Sequence, residues 1–282
     1  AGTANFPVVL GHGSSKQNRF TVKAAATSEI AGVKVGSYWP GNSDRGFPRH
    51  NSMILLFDQG SGRLTVGIEA GRLNAYRTAA ADAVAADLLA RKDAATLVIF
   101  GSGHQAAYEC AALARIRPLR QVLIVARNRG RGAAMAGAIS ETGLDARVEE
   151  AEAACAAADI IVTATASRAP LFDADWVRPG THLASMGSDA TGKQEMPAAL
   201  FPRASLFCDL PSQSRSIGEF QHAHPAADLV AIGEVLVGRH PGRRSDREIT
   251  IFDSSGLSVQ DLYIARHVLD ARQIPQSRDK PR

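Results

Sequence analysis

Cysteine is scarce in this 282-residue chain: Cys110, Cys155 and Cys208 lie far apart, and no Cys-x-x-Cys pair occurs. An odd, scattered set argues against a disulfide framework and favours a reducing compartment, so the expected location is cytoplasmic. Aromatic residues make up only 6%, too few to interleave with basic clusters as a stacking platform for nucleic acid. Charge of either sign is dilute as well: 32 Lys and Arg against 28 Asp and Glu leave +4. The basic runs Arg127–Arg131 and Arg239–Arg244 therefore read as solvated loops, and no nucleic-acid partner is expected. No apolar run approaches the roughly 18 residues of a membrane span. The start, AGTANFPVVLGHG, lacks the charged-then-apolar order of a secretory signal. Neither a GxSxG elbow nor a P-loop is present. The pair His222 and His224 has no cysteine or carboxylate to complete a metal set, so no metal is expected.

What is present is the balance of a globular protein, 45% hydrophobic and 21% charged, with room for one large or two modest domains. Residues 1–73 are strand-like and rich in turns. Val33–Trp39 and Met53–Glu69 carry apolar or β-branched runs, the second broken by the hairpin signal Gln59-Gly60-Ser61-Gly62. Residues 74–92, rich in Ala and Leu without Gly or Pro, predict one long helix. From Ala95 strands alternate with helices: strands at Thr96–Phe100, Gln121–Ala126, Ala146–Val148, Asp159–Thr165, Thr181–Gly187 and Leu206–Leu210, with helices after the first three. That alternation predicts an α/β, doubly wound parallel sheet of the Rossmann type. The end reads as strand, glycine turn and helix; the tail from Gln276 reads as frayed. Three segments follow: 1–92, the first part of a discontinuous α+β substrate and dimerisation domain; 93–252, the dinucleotide-binding domain; and 253–282, a return to the first.

The strongest local motif is Gly101-Ser102-Gly103-His104-Gln105-Ala106, a GxGxxA between a strand and a helix. Gly101 permits the tight turn, Gly103 lets a diphosphate approach the backbone, and Ala106 lets the helix sit close to the sheet. The helix N-terminus adds free N–H groups and a positive dipole end. At the end of the second strand, where an NAD site usually carries an acid, this chain has Arg127, Asn128 and Arg129. Guanidinium forks suit a 2′-phosphate, which points to NADP(H), with NAD(H) possible.

Beyond that motif the chain resembles the ornithine cyclodeaminase/mu-crystallin family. The resemblance lies in NAYRTAAADAVAADLLA followed by VIFGSGHQA, in Gly187–Met196 (GSDATGKQEM), in Ala231–Gly238 (AIGEVLVG) and in Arg247–Leu262 (REITIFDSSGLSVQDL). It implies a nicotinamide-binding Rossmann domain, a second domain forming a homodimer, and an N-terminal stretch that this sequence does not include. It also implies roles. Lys34 and Arg77 match the positions that hold a substrate α-carboxylate, which an Arg fork would orient together with the adjacent carbon. Thr78 matches a cofactor contact. Asp189, with Lys193 four residues on, matches the catalytic acid/base. Thr165, Ala166 and Ser167 after the fourth strand, Met186 and Gly187 after the next, and Ser254, Ser255 and Gly256 near the return are expected to line the cofactor cleft. His104 is expected to touch cofactor or solvent, and His50 to be a packed polar strand residue.

A cyclodeaminase of this family grips the distal ammonium of ornithine with a Glu upstream of the Lys34 position. In QNRFTVKAAATSEIAGVK that position falls near Thr21, with Lys23 close by and no suitable acid. A lost anion beside a cation disfavours a basic substrate, and Gly36–Asn42 (GSYWPGN) resembles members that reduce small imino acids. The expected activity is therefore NAD(P)H-dependent reduction of a 2-imino acid to an L-amino acid. Iminosuccinate is one candidate, with Lys23 on its second carboxylate. The alternatives are conversion of ornithine to proline and ammonia with recycled NAD, and a mu-crystallin-like small-ligand-binding protein.

Overall fold

The computed structural model describes residues 4–5 and 8–273; the tail from Gln276 lies outside them. The chain divides into two compact units, residues 1–77 with 257–282, and residues 78–256.

The first unit is built on an antiparallel sheet of β1 (Ala4–Asn5), β2 (Val9–His12), β3 (Arg19–Ala26), β4 (Ala31–Tyr38), β5 (His50–Phe57) and β6 (Leu64–Glu69). The order is β1-β3-β4-β5-β6, with β2 also pairing β3. The hairpin between β5 and β6 closes as the Gly60-Ser61-Gly62 signal requires. Asp58 accepts from the Ser61 backbone N–H and hydroxyl at 2.8 and 2.6 Å, and Gly62 takes φ +70°. Alternation along β5 decides the faces: Ile54 and Leu56 are buried, while Met53 and Phe57 are exposed. His50 departs from the expected packed position. It is exposed at the start of β5, with its ring 4.6 Å from that of Tyr38, because the strand has not yet entered the core there.

Helix α1 (Gly71–Leu89) starts three residues earlier than expected and carries the boundary between the units. The second unit continues with β7 (Thr96–Phe100), α2 (His104–Leu113), β8 (Gln121–Val125), α3 (Arg129–Ser140), β9 (Asp145–Val148), α4 (Ala151–Ala157), β10 (Ile160–Thr163) and β11 (His182–Ser185). It ends with β12 (Ala204–Cys208), α5 (Pro211–Ile217), β13 (Leu229–Ala231), α6 (Ile232–Leu236) and β14 (Ile249–Asp253). All eight strands run parallel, in the order β13-β12-β14-β11-β10-β7-β8-β9. The switch point lies between β7 and β10, from which the chain winds both ways, as a doubly wound sheet should. The sheet thus exceeds the expected strand set. It gains β13, while the strand expected near the sequence end, β14, is fully buried and sits between β11 and β12. One face of the sheet packs on the second half of α1 with α2 and α3, through Ala86, Leu89, Leu113 and Met135. The other packs on α4 and the segments around Phe172 and Phe201.

Helix α7 (Ser258–Gln273) returns to the first unit, where Leu262 and Ala265 join Ala25, Ile54 and Leu56 in the core. No helix among the described residues is long and apolar enough to cross a membrane.

Candidate active site

Within the first unit, β3, β4, α1 and α7 bring four charged side chains together. Lys34 lies on the α7 side of β4, and Lys23 is its direct partner across the β3–β4 ladder, where opposing side chains share a face. Arg77 sits in α1 one turn after Asn74. Asp261, from α7, meets both cations. One of its oxygens lies 2.7 Å from Lys34 Nζ, and the other accepts from Arg77 Nε at 2.9 Å. Asn74 Oδ1 accepts from Lys34 Nζ and from Arg77 Nη2, at 2.8 and 3.0 Å, and Gln260 Oε1 accepts from Arg77 Nη1 at 3.3 Å. Lys34, Arg77 and Asp261 are 5%, 7% and 1% exposed, so these charges face one another rather than water.

Their titration follows from that burial. Desolvation, then the Arg77 charge and also Lys23, push the Lys34 ammonium down to about 7, against the pull of Asp261. Burial alone would raise the Asp261 carboxyl, but Arg77 and Lys34 overcome it and hold it below the usual range. Asp261 carries no local sequence signal: QDL reads as ordinary helix surface, and its partner Arg77 is 184 residues away.

In the second unit, the expected cofactor residues line the carboxyl edge of the sheet. Gly101 directly follows β7 with φ +120°, and a Cβ there would stand 2.8 Å from the Ala164 carbonyl oxygen. Gly103 caps α2 in extended backbone, and a Cβ there would meet no atom within 4 Å. Ala106 is fully buried against the sheet. His104 is exposed, its ring 4.7 Å from that of Tyr108. After β8, Asn128 caps α3 by accepting from Arg131 N at 2.9 Å. Arg129 is turned onto Glu150 in an exposed ion pair, Arg127 is exposed, and Arg131 reaches the Ser102 carbonyl at 3.4 Å.

Three loops beyond the next strands are pinned by carboxylates that carry no sequence signal. Glu195, fully buried, accepts from Thr165 N and Oγ1 at 2.6 and 2.7 Å, from Thr163 Oγ1 at 2.9 Å and from Gly187 N at 2.9 Å. It thereby staples the segment holding Thr165, Ala166 and Ser167 to that holding Met186 and Gly187. Glu219 accepts from the Glu195 and Met196 backbone and from Ser185 Oγ, and burial pushes it up to about 7. Asp209 accepts from Gly256 N at 2.7 Å and Ser255 Oγ at 3.1 Å, fixing the turn after Ser254. Asp189 projects beyond β11 with its side chain 57% exposed and Lys193 Nζ at 2.5 Å; Lys193 also donates to the Gly187 carbonyl. Thr78 falls in the second unit, on α1.

The arrangement has relatives. The model of the ornithine cyclodeaminase/mu-crystallin family matches residues 2–274. The iminosuccinate reductase of Paracoccus denitrificans is 39% identical over 274 residues, 94% of this chain and 85% of the relative. Its crystal structure in complex with NAD+ superposes with a TM-score of 0.89, at 36% identity, over 95% of this chain and 85% of that one. The Thermococcus litoralis Δ1-pyrroline-2-carboxylate reductase, solved with NADH and L-proline, gives 0.87 at 26% identity, covering 95% and 86%. The ornithine cyclodeaminase of Agrobacterium fabrum is 30% identical, covering 94% of this chain and 75% of the relative. With a family model matching nearly the whole chain, and the doubly wound sheet and GxGxxA turn in place, the chain belongs to the ornithine cyclodeaminase/mu-crystallin family.

Proposed function

We propose that this chain is an NAD(P)H-dependent reductase that converts a small 2-imino acid into an L-amino acid. The observation that carries this reading is the buried pair of Lys34 and Arg77, both held by Asp261, with the half-buried Lys23 opposite Lys34 on β3. Arg77 is charged, and Lys34, near its midpoint at pH 7, holds its proton more firmly once a substrate carboxylate lies beside it. Asp261 is committed to its two cations, and among the described residues no other carboxylate pairs with Lys34 or Arg77 to meet a distal ammonium. The charge balance therefore favours an acidic substrate over ornithine, in line with the iminosuccinate reductase relative.

The second unit fits a dinucleotide. Gly103 has no protein neighbour to require a glycine, and at the start of α2 it would let a diphosphate reach the free backbone N–H groups. Gly101 through Ala106 would hold the diphosphate, and Thr165, Ala166, Ser167, Met186, Gly187, Ser254 and Gly256 would line the remainder, with Thr78. Arg127, Asn128 and Arg129 would take a 2′-phosphate. The Arg129–Glu150 pair is exposed and worth little, so Arg129 can exchange its partner. NADPH is therefore the favoured cofactor.

When bound, the reduced nicotinamide supplies the hydride that the imine carbon accepts. Arg77 and Lys34 fix the α-carboxylate and so the plane of the adjacent C=N bond. In this reading Asp189, on its Lys193 partner, or Lys34 would supply or steer the proton that keeps the imine nitrogen cationic, which makes the carbon the better acceptor. The electron pair of the C=N bond stays on nitrogen, giving the amine. The exposed apolar side chains Phe20, Met53 and Phe57 on the first unit suit burial in a homodimer, and the buried free thiols suit the cytoplasm.

The test is oxidation of NADPH at 340 nm with oxaloacetate, pyruvate, glyoxylate or a cyclic imine, each with ammonia or methylamine where needed. Net consumption with an acidic imine is expected. Turnover of ornithine with NAD, without net change in nicotinamide, would contradict the proposal.

A further inference from the structure

We infer that Asp261 is the positioning residue of the cation pocket: its two oxygens hold Lys34 and Arg77 in one geometry, with their remaining N–H groups presented to a substrate carboxylate. The inference rests on the reading of that pair as the carboxylate clamp. Nothing local in the sequence singles Asp261 out, and it belongs to the last helix rather than to the strand and helix that carry the clamp.

Donor arithmetic supports the assignment. A guanidinium has five N–H donors and an ammonium three. Arg77 spends three, on Asp261, Asn74 and Gln260. Lys34 spends one on Asn74 and sets its ammonium 2.7 Å from the second Asp261 oxygen in an ion pair. Two donors on Arg77 and at least one on Lys34 are left among the described residues, enough for the two oxygens of a carboxylate. A flexible Arg and Lys would otherwise lose side-chain entropy on binding; held by Asp261, Asn74 and Gln260, they are already ordered.

Asp261 also decides whether Lys34 carries its charge. The charged groups facing Lys34 are Lys23 from β3, Arg77 from α1 and Asp261 from α7. Two of the three repel its proton and burial opposes it as well, so Asp261 is the one charged group among them that favours the ammonium. Without that carboxylate Lys34 becomes a neutral amine at neutral pH, and its lone pair then repels the incoming carboxylate. The opposite view treats Asp261 as an internal competitor occupying the clamp until substrate displaces it. The two views differ in sign.

The experiment is Asp261→Asn in the full chain, read in two ways. First, lysine labelled with 13C at Cε is titrated by NMR without substrate, the Lys34 signal being assigned by its loss in Lys34→Arg. In the parent protein it should titrate near 7, and in Asp261→Asn at a pH about 1–3 lower. Second, KM for the imine at pH 7.5 should rise about tenfold or more, since above its midpoint the charged fraction of Lys34 falls tenfold for each pH unit by which that midpoint drops. KM for NADPH should stay unchanged, and part of the loss should be recovered at pH 6. An unmoved Lys34 titration, or a KM for the imine that stays the same or falls, overturns the inference. If the titration moves as expected but the parent protein reduces no imine, Asp261 stands and the functional reading fails. Should Asp261→Asn not fold, Asp261→Glu carries the test: the charge stays, so Lys34 should still titrate near 7 while the displaced carboxylate raises KM severalfold. An unchanged KM there is equally fatal.

Discussion

Replacing Gly103 by alanine should leave the fold intact and weaken dinucleotide binding. Gly103 has φ −92° and ψ 178°, a conformation open to any residue, and the new Cβ would meet nothing within 4 Å. Alanine gains about 0.4–1 kcal/mol by stiffening the unfolded chain. As a helix cap it loses up to about 1 kcal/mol against glycine. The two nearly cancel, so the melting temperature should move by no more than about 4 °C. Binding responds differently, because the methyl group occupies the approach of a diphosphate to the start of α2. Losing one charge-assisted hydrogen bond costs about 1.5–3 kcal/mol, or roughly 10- to 150-fold in Kd. Gly101→Ala is the matched control. With φ +120° and the Ala164 carbonyl oxygen 2.8 Å from the new Cβ, it costs about 1–3 kcal/mol in strain alone, a fall of roughly 2–12 °C. Fluorescence titration with NADPH beside thermal melts reads both. Gly103→Ala binding NADPH within twofold of the parent protein would refute the diphosphate assignment.

Asp189→Ala should lower turnover by about 100-fold or more while leaving the Kd of NADPH nearly unchanged; steady-state rates and a binding titration check this, and intact turnover removes Asp189 from the mechanism. Arg127→Ala should raise KM for NADPH and leave KM for NADH alone, and a parent protein preferring NADH by tenfold would remove the 2′-phosphate role. Glu219, pushed up to about 7 by burial, binds its proton more tightly folded than unfolded. It therefore contributes stability below about pH 4.5 that is lost as pH rises to about 7. Glu219→Gln keeps the neutral pattern, with its carbonyl accepting from the backbone of residues 195 and 196 and its amide facing Ser185. Denaturant melts should find it more stable than the parent at pH 8, by up to about 2–3 kcal/mol, with a flatter slope between pH 5 and 8. A destabilised variant at pH 8 would contradict the burial argument.

Legibility in the sequence follows the range of the interactions. The GxGxxA turn is readable because its determinants lie within six residues, between a buried strand and a helix whose N-terminus they form. The β5–β6 hairpin is readable for the same reason, with Asp58, Ser61 and Gly62 satisfying one another. Sheet order is less so. Five apolar or buried residues at 249–253 declare a strand, but nothing in them says that it inserts between β11 and β12. Lys34 and Arg77 emerge through resemblance rather than pattern. Asp261 lies inside the Arg247–Leu262 stretch that carries the resemblance, but no role attaches to it until α7 packs on β3 and β4. The roles of Glu195 and Glu219 are hidden likewise: a glutamate in a polar loop looks solvated until the loop folds over it. Asn128 is a candidate cofactor contact by its place after the second strand, but its part as the cap of α3 appears only in the structure.

The most direct test of the central proposal follows the hydride. The protein is supplied with NADPH deuterated at C4 on either face, together with oxaloacetate and ammonia, and the amino acid product is examined by mass spectrometry. The expected result is one deuterium at the α-carbon from one of the two labelled cofactors, lost when Arg77 is replaced by methionine. An unlabelled product, or none from any small imino acid, would contradict the proposal that this chain clamps an imino acid by its carboxylate and reduces it.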